Sequence, residues 1–211
     1  METTIISLGG SLIVPEEIDV EFLKEFRSLI LDQVAKGQKF VIITGGGKIA
    51  RDYQKVAREM SNPTDADLDL IGIRALNLNA ELVRVLFKNG SGIEVQIHGA
   101  KKPGGSTDTA AIKLAIKNNA EKVINLSNTD YVYDSDPKVN PDAKKIEQIS
   151  WADYRALIPK EWSPGLNTPF DPTAAQVAEA EGLEVVIMNG KPLDNLKNYL
   201  NGEKFFGTVI K

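Results

Sequence analysis

The sequence of 211 residues contains no cysteine and a single histidine, His98. Disulfide frameworks, thiolate zinc centres and cysteine nucleophiles are thereby excluded, and no histidine cluster exists for a metal. Aromatic residues are sparse at 7%, and no apolar run approaches the roughly 18 residues that would span a bilayer. The opening METTIISLGG has neither the basic start nor the long apolar stretch of a secretory signal. A soluble, intracellular chain is therefore expected, compatible with a reducing compartment. Positive charge is also short. Lys and Arg number 25 against 29 Asp and Glu, a formal net charge of -4, so there is no domain-wide positive field to hold a nucleic-acid backbone. Repeats, low-complexity tracts and long like-charge blocks are missing, and the length suits one domain over residues 1–211.

What remains is an alternation of strand and helix patterns. Thr3 to Leu8 is a β-branched run closed by Gly9 and Gly10, after which Phe22, Leu23, Phe26, Leu29, Ile30 and Val34 recur at helical spacing until Gly37. Phe40 to Thr44 is apolar on both faces, as a central parallel strand is, and Ile49, Tyr53, Val56 and Met60 mark a helix behind a triple glycine. A further helix runs through Leu70, Ile73, Leu76, Ala80, Val83 and Phe87. Ile93, Val95 and Ile97 then alternate with polar residues as a half-buried strand. Thr107 or Asp108 can cap an Ala-rich helix to about Ile116, the strand KVINL follows, and 130–142 reads as an irregular hairpin or loop. Asp171 followed by Pro172 predicts an N-cap, a helix stopping at Gly182, and a buried strand LEVVIM. Such alternation predicts an α/β fold: a three-layer αβα sandwich around a mainly parallel sheet.

Three strands run into small residues just before a helix: Gly9-Gly10-Ser11, Gly45-Gly46-Gly47 and Gly104-Gly105-Ser106-Thr107. In a parallel sheet these turns share the carboxyl edge, where ligands bind. Glycine admits a phosphate close to the backbone, and helix N-termini attract anions, although a tight strand-to-helix turn requires glycine on steric grounds alone. The Walker pattern is absent, since Lys48 is followed by Ile49. Gly45, Gly47 and Ala50 do satisfy the dinucleotide pattern, with Asp65, Asp67 and Asp69 near the distance of a ribose-binding acid. Against a dinucleotide site, this is the second strand, and only His98 is available for hydride chemistry.

The combination of SLGGSLIVPE, ITGGGKIARDY, DLIGI, PGGSTDTAA, NTDYVYDSDPKVNPDAKKI, FDPTAAQVAEAEGLEVVIM and NGEKFFGTVI, in this order, resembles the amino-acid kinase superfamily. Within it, the chain is similar to the archaeal-type uridylate kinases over nearly its full length. The resemblance implies transfer of the ATP γ-phosphate to UMP, with Mg2+ carried mainly on the ATP phosphates and no residue as a dedicated metal ligand. It further implies an acceptor-binding part over roughly 1–120, an ATP-binding part over roughly 121–211, a cytoplasmic setting and a homohexamer built from dimers. The apolar helix from Phe22 to Val34 is a candidate contact for that assembly, though a core-facing helix has the same pattern.

The same resemblance suggests residue roles. Gly9, Gly10 and Ser11 would hold the transferring phosphate. Gly46 and Gly47 would lie between acceptor and donor phosphates, with Arg51 as a charged clamp. Asp69, three residues before Gly72, would accept from the acceptor ribose, and Pro103, Gly104, Gly105, Ser106 and Thr107 would form the acceptor turn. Asp108 would organise the catalytic cations, with Lys48 the nearest transition-state cation and Lys101 and Lys102 behind it. Ser127, Asp130, Tyr133 and Asp136 would hold adenine and ribose. Each has a plainer reading: Lys48 and Arg51 as solvated surface cations, Asp69 as a helix N-terminal carboxylate, Ser106 or Thr107 as a cap, Tyr133 as core. Asp171 carries no role beyond its N-cap. The chain departs from the family pattern at Ser7, where many members carry lysine, and at Tyr131, where glycine is usual. It is also shorter between Lys88 and Gly99. Rival readings are a kinase of the same superfamily acting on another small acceptor, and a non-catalytic nucleotide or oxyanion binder.

Overall fold

A computed structural model describes residues 3–88, 92, 94–100, 105–161, 166 and 168–211. Its central sheet has seven strands. β1 (Thr3–Leu8), β2 (Lys39–Thr44), β3 (Val95–His98), β4 (Lys122–Ser127), β7 (Gln148–Ile149), β8 (Glu184–Asn189) and β9 (Thr208–Ile210) lie in the order β3-β2-β1-β4-β8-β9-β7. All neighbouring pairs run parallel except β8 and β9. β5 (Val132–Tyr133) and β6 (Lys145–Ile146) form a separate antiparallel pair. The strand order reverses between β1 and β4, because β2 and β3 extend from one side of β1 and β4 takes the other. In an open α/β sheet that reversal opens a crevice at the carboxyl edge.

Alternating strand residues supply two cores, one on each face of the sheet. Ile6, Leu8, Ile42, Ile124, Leu126 and Val186 pack with Phe22, Phe26 and Ile30 of α2 (Val20–Ala35) and with Val83 and Phe87 of α4 (Asp65–Phe87). Ile5, Val41, Ile43, Val123, Val185 and Ile187 pack on the opposite face. Their partners come from α5 (Thr107–Lys117), α6 (Trp151–Leu157) and α7 (Pro172–Ala180). Each fully buried Ile or Phe stabilises the fold by roughly 1.5–3 kcal/mol, so strands apolar on both faces need helices packed on both. The result is the expected αβα sandwich. The face of α2 from Phe22 to Ile30 lies in this core, as the core-facing alternative for this helix had it.

Three local details differ from the sequence pattern. Gly10 does not merely end a strand but opens a short helix, α1 (Gly10–Ile13). The cap of α5 is Ser106 rather than Thr107 or Asp108: its hydroxyl accepts from the Thr109 amide at 3.0 Å, leaving Asp108 in the first turn. α3 (Gly47–Met60) forms as expected, yet it buries only Ala50 fully. Tyr53, Val56 and Met60 are 68%, 55% and 81% exposed, because the helix lies outside the main layer and touches α4 and α1 rather than the sheet. α8 (Asp194–Leu200) completes the chain's helices among the described residues and covers β8.

Candidate functional site

At the carboxyl edge the turns after β1 and β2 meet backbone to backbone. A Cβ on Gly10 would lie 2.3 Å from the Gly47 nitrogen and 2.5 Å from the Gly45 oxygen, and a Cβ on Gly47 would lie 2.5 Å from the Gly10 carbonyl carbon. Gly47 also holds a φ of +63°, which favours glycine. The Gly9 amide donates to the Leu126 oxygen and the Gly45 amide to the Leu8 oxygen, both at 2.8 Å, so three strand ends are tied together. α1 and α3 start at this junction without a side-chain cap, as α8 does elsewhere, whereas α2, α4, α5, α6 and α7 each carry one. The first amides of α3 are thus left for an anion, reinforced by the partial positive charge of the helix start.

A cleft of about 650 Å³ opens over this junction. α3 lines it with Gly47, Ala50, Arg51 and Gln54, and α4 with Asp69, Gly72, Ile73 and Leu76. Both sets follow helical spacing, so two facing stripes form its walls. Ser11, Gly46, Gly105, Ser106 and Thr107 complete the group, and Asn128 and Leu166 join it from the second half of the chain. The expected acceptor residues therefore converge, apart from Pro103 and Gly104, which lie outside the described residues together with Lys101 and Lys102. Arg51 makes no ion pair among the described residues, so none of their carboxylates competes with a ligand for its guanidinium.

Lys48 does not join them. It is the second residue of α3, and its ammonium reaches Asp52 at 2.7 Å and Glu16 at 3.4 Å on the surface. Asp52, and then Glu16, hold that ammonium above its ordinary pKa. Two carboxylates have already claimed its charge, and Arg51, one turn on, faces the cleft instead.

Behind Ser106 lies a carboxylate pair that joins the two halves of the chain. Small residues (Ala111 and Ala115 of α5; Ala174, Ala175 and Ala178 of α7) let these helices pack closely and bring their starts together. Asp171 accepts from the Ala174 amide at 2.8 Å as the expected N-cap of α7. Its other oxygen also accepts from the Ser106 hydroxyl and, at 3.2 Å, from the Thr109 hydroxyl. The Asp171 amide in turn donates to Asp108 Oδ2 at 3.1 Å, and Asn125 Nδ2, which donates to the Pro169 oxygen at 2.9 Å, lies 3.5 Å from Asp108 Oδ1. Burial, and then the charge of Asp171, push the Asp108 carboxyl up to about 7, against the opposing pull of the Asp171 amide and the Ser7 hydroxyl. Ser7 thus sits in the polar cluster beneath the glycine turns. Tyr154 closes the cluster from below, exchanging hydrogen bonds of 2.7 and 2.8 Å with the Phe170 backbone.

The residues expected to hold adenine and ribose lie further along the same edge, and none of them lines the cleft. Ser127 ends β4 and accepts from the Thr129 amide at 3.2 Å, beside Gly9. Asp130 accepts from Asn189, at the end of β8, at 2.8 Å. Tyr133 is half-buried in β5, its ring edge-on to Tyr131 at 6.4 Å, and Asp136 accepts from the Lys138 amide at 2.9 Å in an exposed turn. Tyr131 is buried, with the Lys145 ammonium 4.8 Å from its ring centre. Its bulk fills the base of this hairpin.

Sequence reasoning missed Gln54, Asn125 and Asn128 and gave Asp171 only half of its part. A signal for Gln54 existed, since it follows Arg51 by three residues on one helical face. Nothing local signalled Asp171 as the partner of Asp108, 63 residues away.

The amino acid kinase family model matches residues 2–93 and 74–189. The uridylate kinase of Methanobrevibacter smithii is 33% identical over 224 residues, covering 98% of each chain, and that of Pyrococcus abyssi is 31% identical over the same length and shares. The crystal structure of the uridylate kinase from Archaeoglobus fulgidus superposes with a TM-score of 0.82 at 31% identity, covering 100% of both chains.

Proposed function

The chain belongs to the amino acid kinase family, and from that premise we propose that it transfers the γ-phosphate of ATP to the phosphate of UMP, giving UDP and ADP. The observation that carries this reading is the convergence on one cleft of the uncapped start of α3 and of Arg51, which makes no ion pair among the described residues, with the Asp108–Asp171 pair tied to Ser106 behind the cleft wall. Phosphoryl transfer asks for little covalent chemistry from a protein. Two charged phosphates must be held in line while donors absorb the transition-state charge. Gly9, Gly10, Ser11, Gly46 and Gly47 supply backbone amides, Arg51 clamps the nucleotide phosphates, and Ser106 and Thr107 face the acceptor with Gly105, a role that Pro103 and Gly104, outside the described residues, share by resemblance alone. Asp69 takes the ribose. Ser127, Asp130, Tyr133 and Asp136 take the ATP side, so that residues 1–120 serve the acceptor and 121–211 the donor. The cationic role given to Lys48 by sequence passes to Arg51.

Mg2+ belongs to this reading as the ion carried on the ATP phosphates, whose charge it neutralises when bound. Among the described residues no group of three or more acidic or histidine side chains gathers to hold a metal. The hard carboxylate oxygens of Asp108 and Asp171 suit this ion, which keeps waters and phosphate oxygens as most of its ligands. Those two residues would face it.

No helix among the described residues is long and apolar enough to cross a membrane, and the reading carries a cytoplasmic setting. It also carries a homohexamer, whose contact we assign to the exposed stripe Tyr53, Val56 and Met60 of α3 in place of α2. Sedimentation of a monomer, or an assembly unchanged in Val56→Glu, contradicts that assignment. The activity itself is tested by ADP release from Mg-ATP with UMP, CMP, AMP, isopentenyl phosphate, carbamate or buffer alone. Stimulation by UMP well above all others supports the reading, and a response to another acceptor or to none overturns it.

A further inference from the structure

Gln54 stands in the cleft without a part in the chemistry so far assigned. It lies on α3 two turns beyond Gly47, about 10 Å along the axis at 1.5 Å per residue, with Arg51 between them. A phosphate held at the start of α3 and clamped by Arg51 therefore leaves Gln54 beside the sugar rather than the phosphate. The Gln54 amide has a fixed orientation. Its Nε2 donates to the Leu68 oxygen at 2.8 Å, and a carbonyl acceptor at that distance requires nitrogen, not oxygen, on that side. Gly72 permits this arrangement, since a Cβ there would stand 3.2 Å from Nε2. The Oε1 atom is left with no hydrogen bond among the described residues and is free to accept one from a ligand. Leu68 immediately precedes Asp69, so the tie to Leu68 brings the Gln54 amide to the stretch of α4 that carries the expected ribose carboxylate.

We propose that Gln54 is a specificity-determining residue: its Oε1 accepts a hydrogen bond from a ribose hydroxyl of the acceptor, so that Gln54 and Asp69 together select ribonucleoside over 2′-deoxyribonucleoside monophosphates. The inference rests on the acceptor being a nucleoside monophosphate, as proposed above. A site built to hydrogen-bond a hydroxyl rejects the analogue lacking it, because its own acceptor is left desolvated and unpaired.

The test compares UMP with dUMP in wild type, Gln54→Leu and Gln54→Glu. Binding is measured by calorimetry without ATP, and kcat/KM in the complete reaction. Wild type is expected to prefer UMP. In Gln54→Leu the preference falls about tenfold, the size of one lost hydrogen bond, through weaker UMP binding with dUMP binding nearly unchanged. Gln54→Glu loses the donor to Leu68 but keeps an acceptor, and retains more of the preference than Gln54→Leu. If Gln54 only ties α3 to α4, both acceptors weaken equally and the UMP-to-dUMP ratio stays at its wild-type value, which overturns the proposal. Equal binding of UMP and dUMP by wild type, or binding of neither, overturns it as well. Because calorimetry needs no turnover, a chain that selects UMP over dUMP yet releases no ADP refutes the kinase reading while sustaining this one.

Discussion

Replacing Asp108 by Asn is expected to stabilise the protein at alkaline pH while removing its activity. Burial and the neighbouring Asp171 raise the Asp108 carboxyl from 3.8 to about 7. The folded state therefore holds a proton that the unfolded state releases near pH 3.8. Between those values the folded chain binds more protons, so the contribution of this group to stability is greatest below about pH 4 and is lost as pH rises to about 7. At roughly 1.4 kcal/mol per pH unit, the gap between Asn variant and wild type widens by on the order of 3 kcal/mol from pH 5 to pH 8. The asparagine Oδ1 can still accept from the Asp171 amide, and any cost at Asn125 does not titrate and cancels in the comparison. For a chain of this size the widening corresponds to about 6–12 °C in Tm. Calorimetric unfolding of both proteins at pH 5 and pH 8, in chelator and without nucleotide, reads it directly. A gap equal at the two pH values, or narrower at pH 8, refutes the burial argument for Asp108.

Gly10→Ala should lower stability by at least about 3 kcal/mol, because its Cβ would meet backbone atoms of Gly45 and Gly47 that cannot rotate away. A loss of Tm below about 2 °C would mean that the two turns can separate freely. Lys48→Ala should change KM for UMP less than threefold, since its charge is already paired on the surface, whereas Arg51→Ala should raise that KM by about tenfold or more. The reverse order would return the cationic role to Lys48.

Much of the architecture was legible in the sequence because it depends on local pattern. Strands apolar on both faces, such as Phe40 to Thr44, announce a covered parallel sheet, and glycine runs behind them announce turns on its carboxyl edge. Most of the expected acceptor residues do line one cleft together with Arg51, which sits one turn into the helix that the Gly45–Gly47 turn starts, whereas Asp69 sits on α4, whose start is set by the capping box of Thr64 and Asp67. Where the pattern misled, the missing information was tertiary. The stripe Ile49, Tyr53, Val56 and Met60 has the spacing of a buried face, yet no core layer lies against its outer residues. In Ser106-Thr107-Asp108 three consecutive residues can each cap a helix, and the choice of Ser106 frees Asp108 to meet Asp171. The pairing of Lys48 with Glu16 was not legible because Glu16 lies far from it in sequence, on the segment between α1 and α2. Asp171 was recognised as a cap from its place before Pro172, but its hold on Ser106 and Thr109 arises only when α5 and α7 pack through their alanines.

Transfer of a phosphoryl group from ATP to the phosphate of UMP in this cleft is read directly by 31P NMR. Purified protein is incubated with Mg-ATP and UMP, beside Asp108→Asn, whose fold is verified by its Tm. In the wild-type sample the UMP resonance is expected to fall as the α- and β-phosphate signals of UDP and ADP rise together, with the variant silent. Persistence of UMP with no UDP signal, or release of inorganic phosphate in place of UDP, would contradict it.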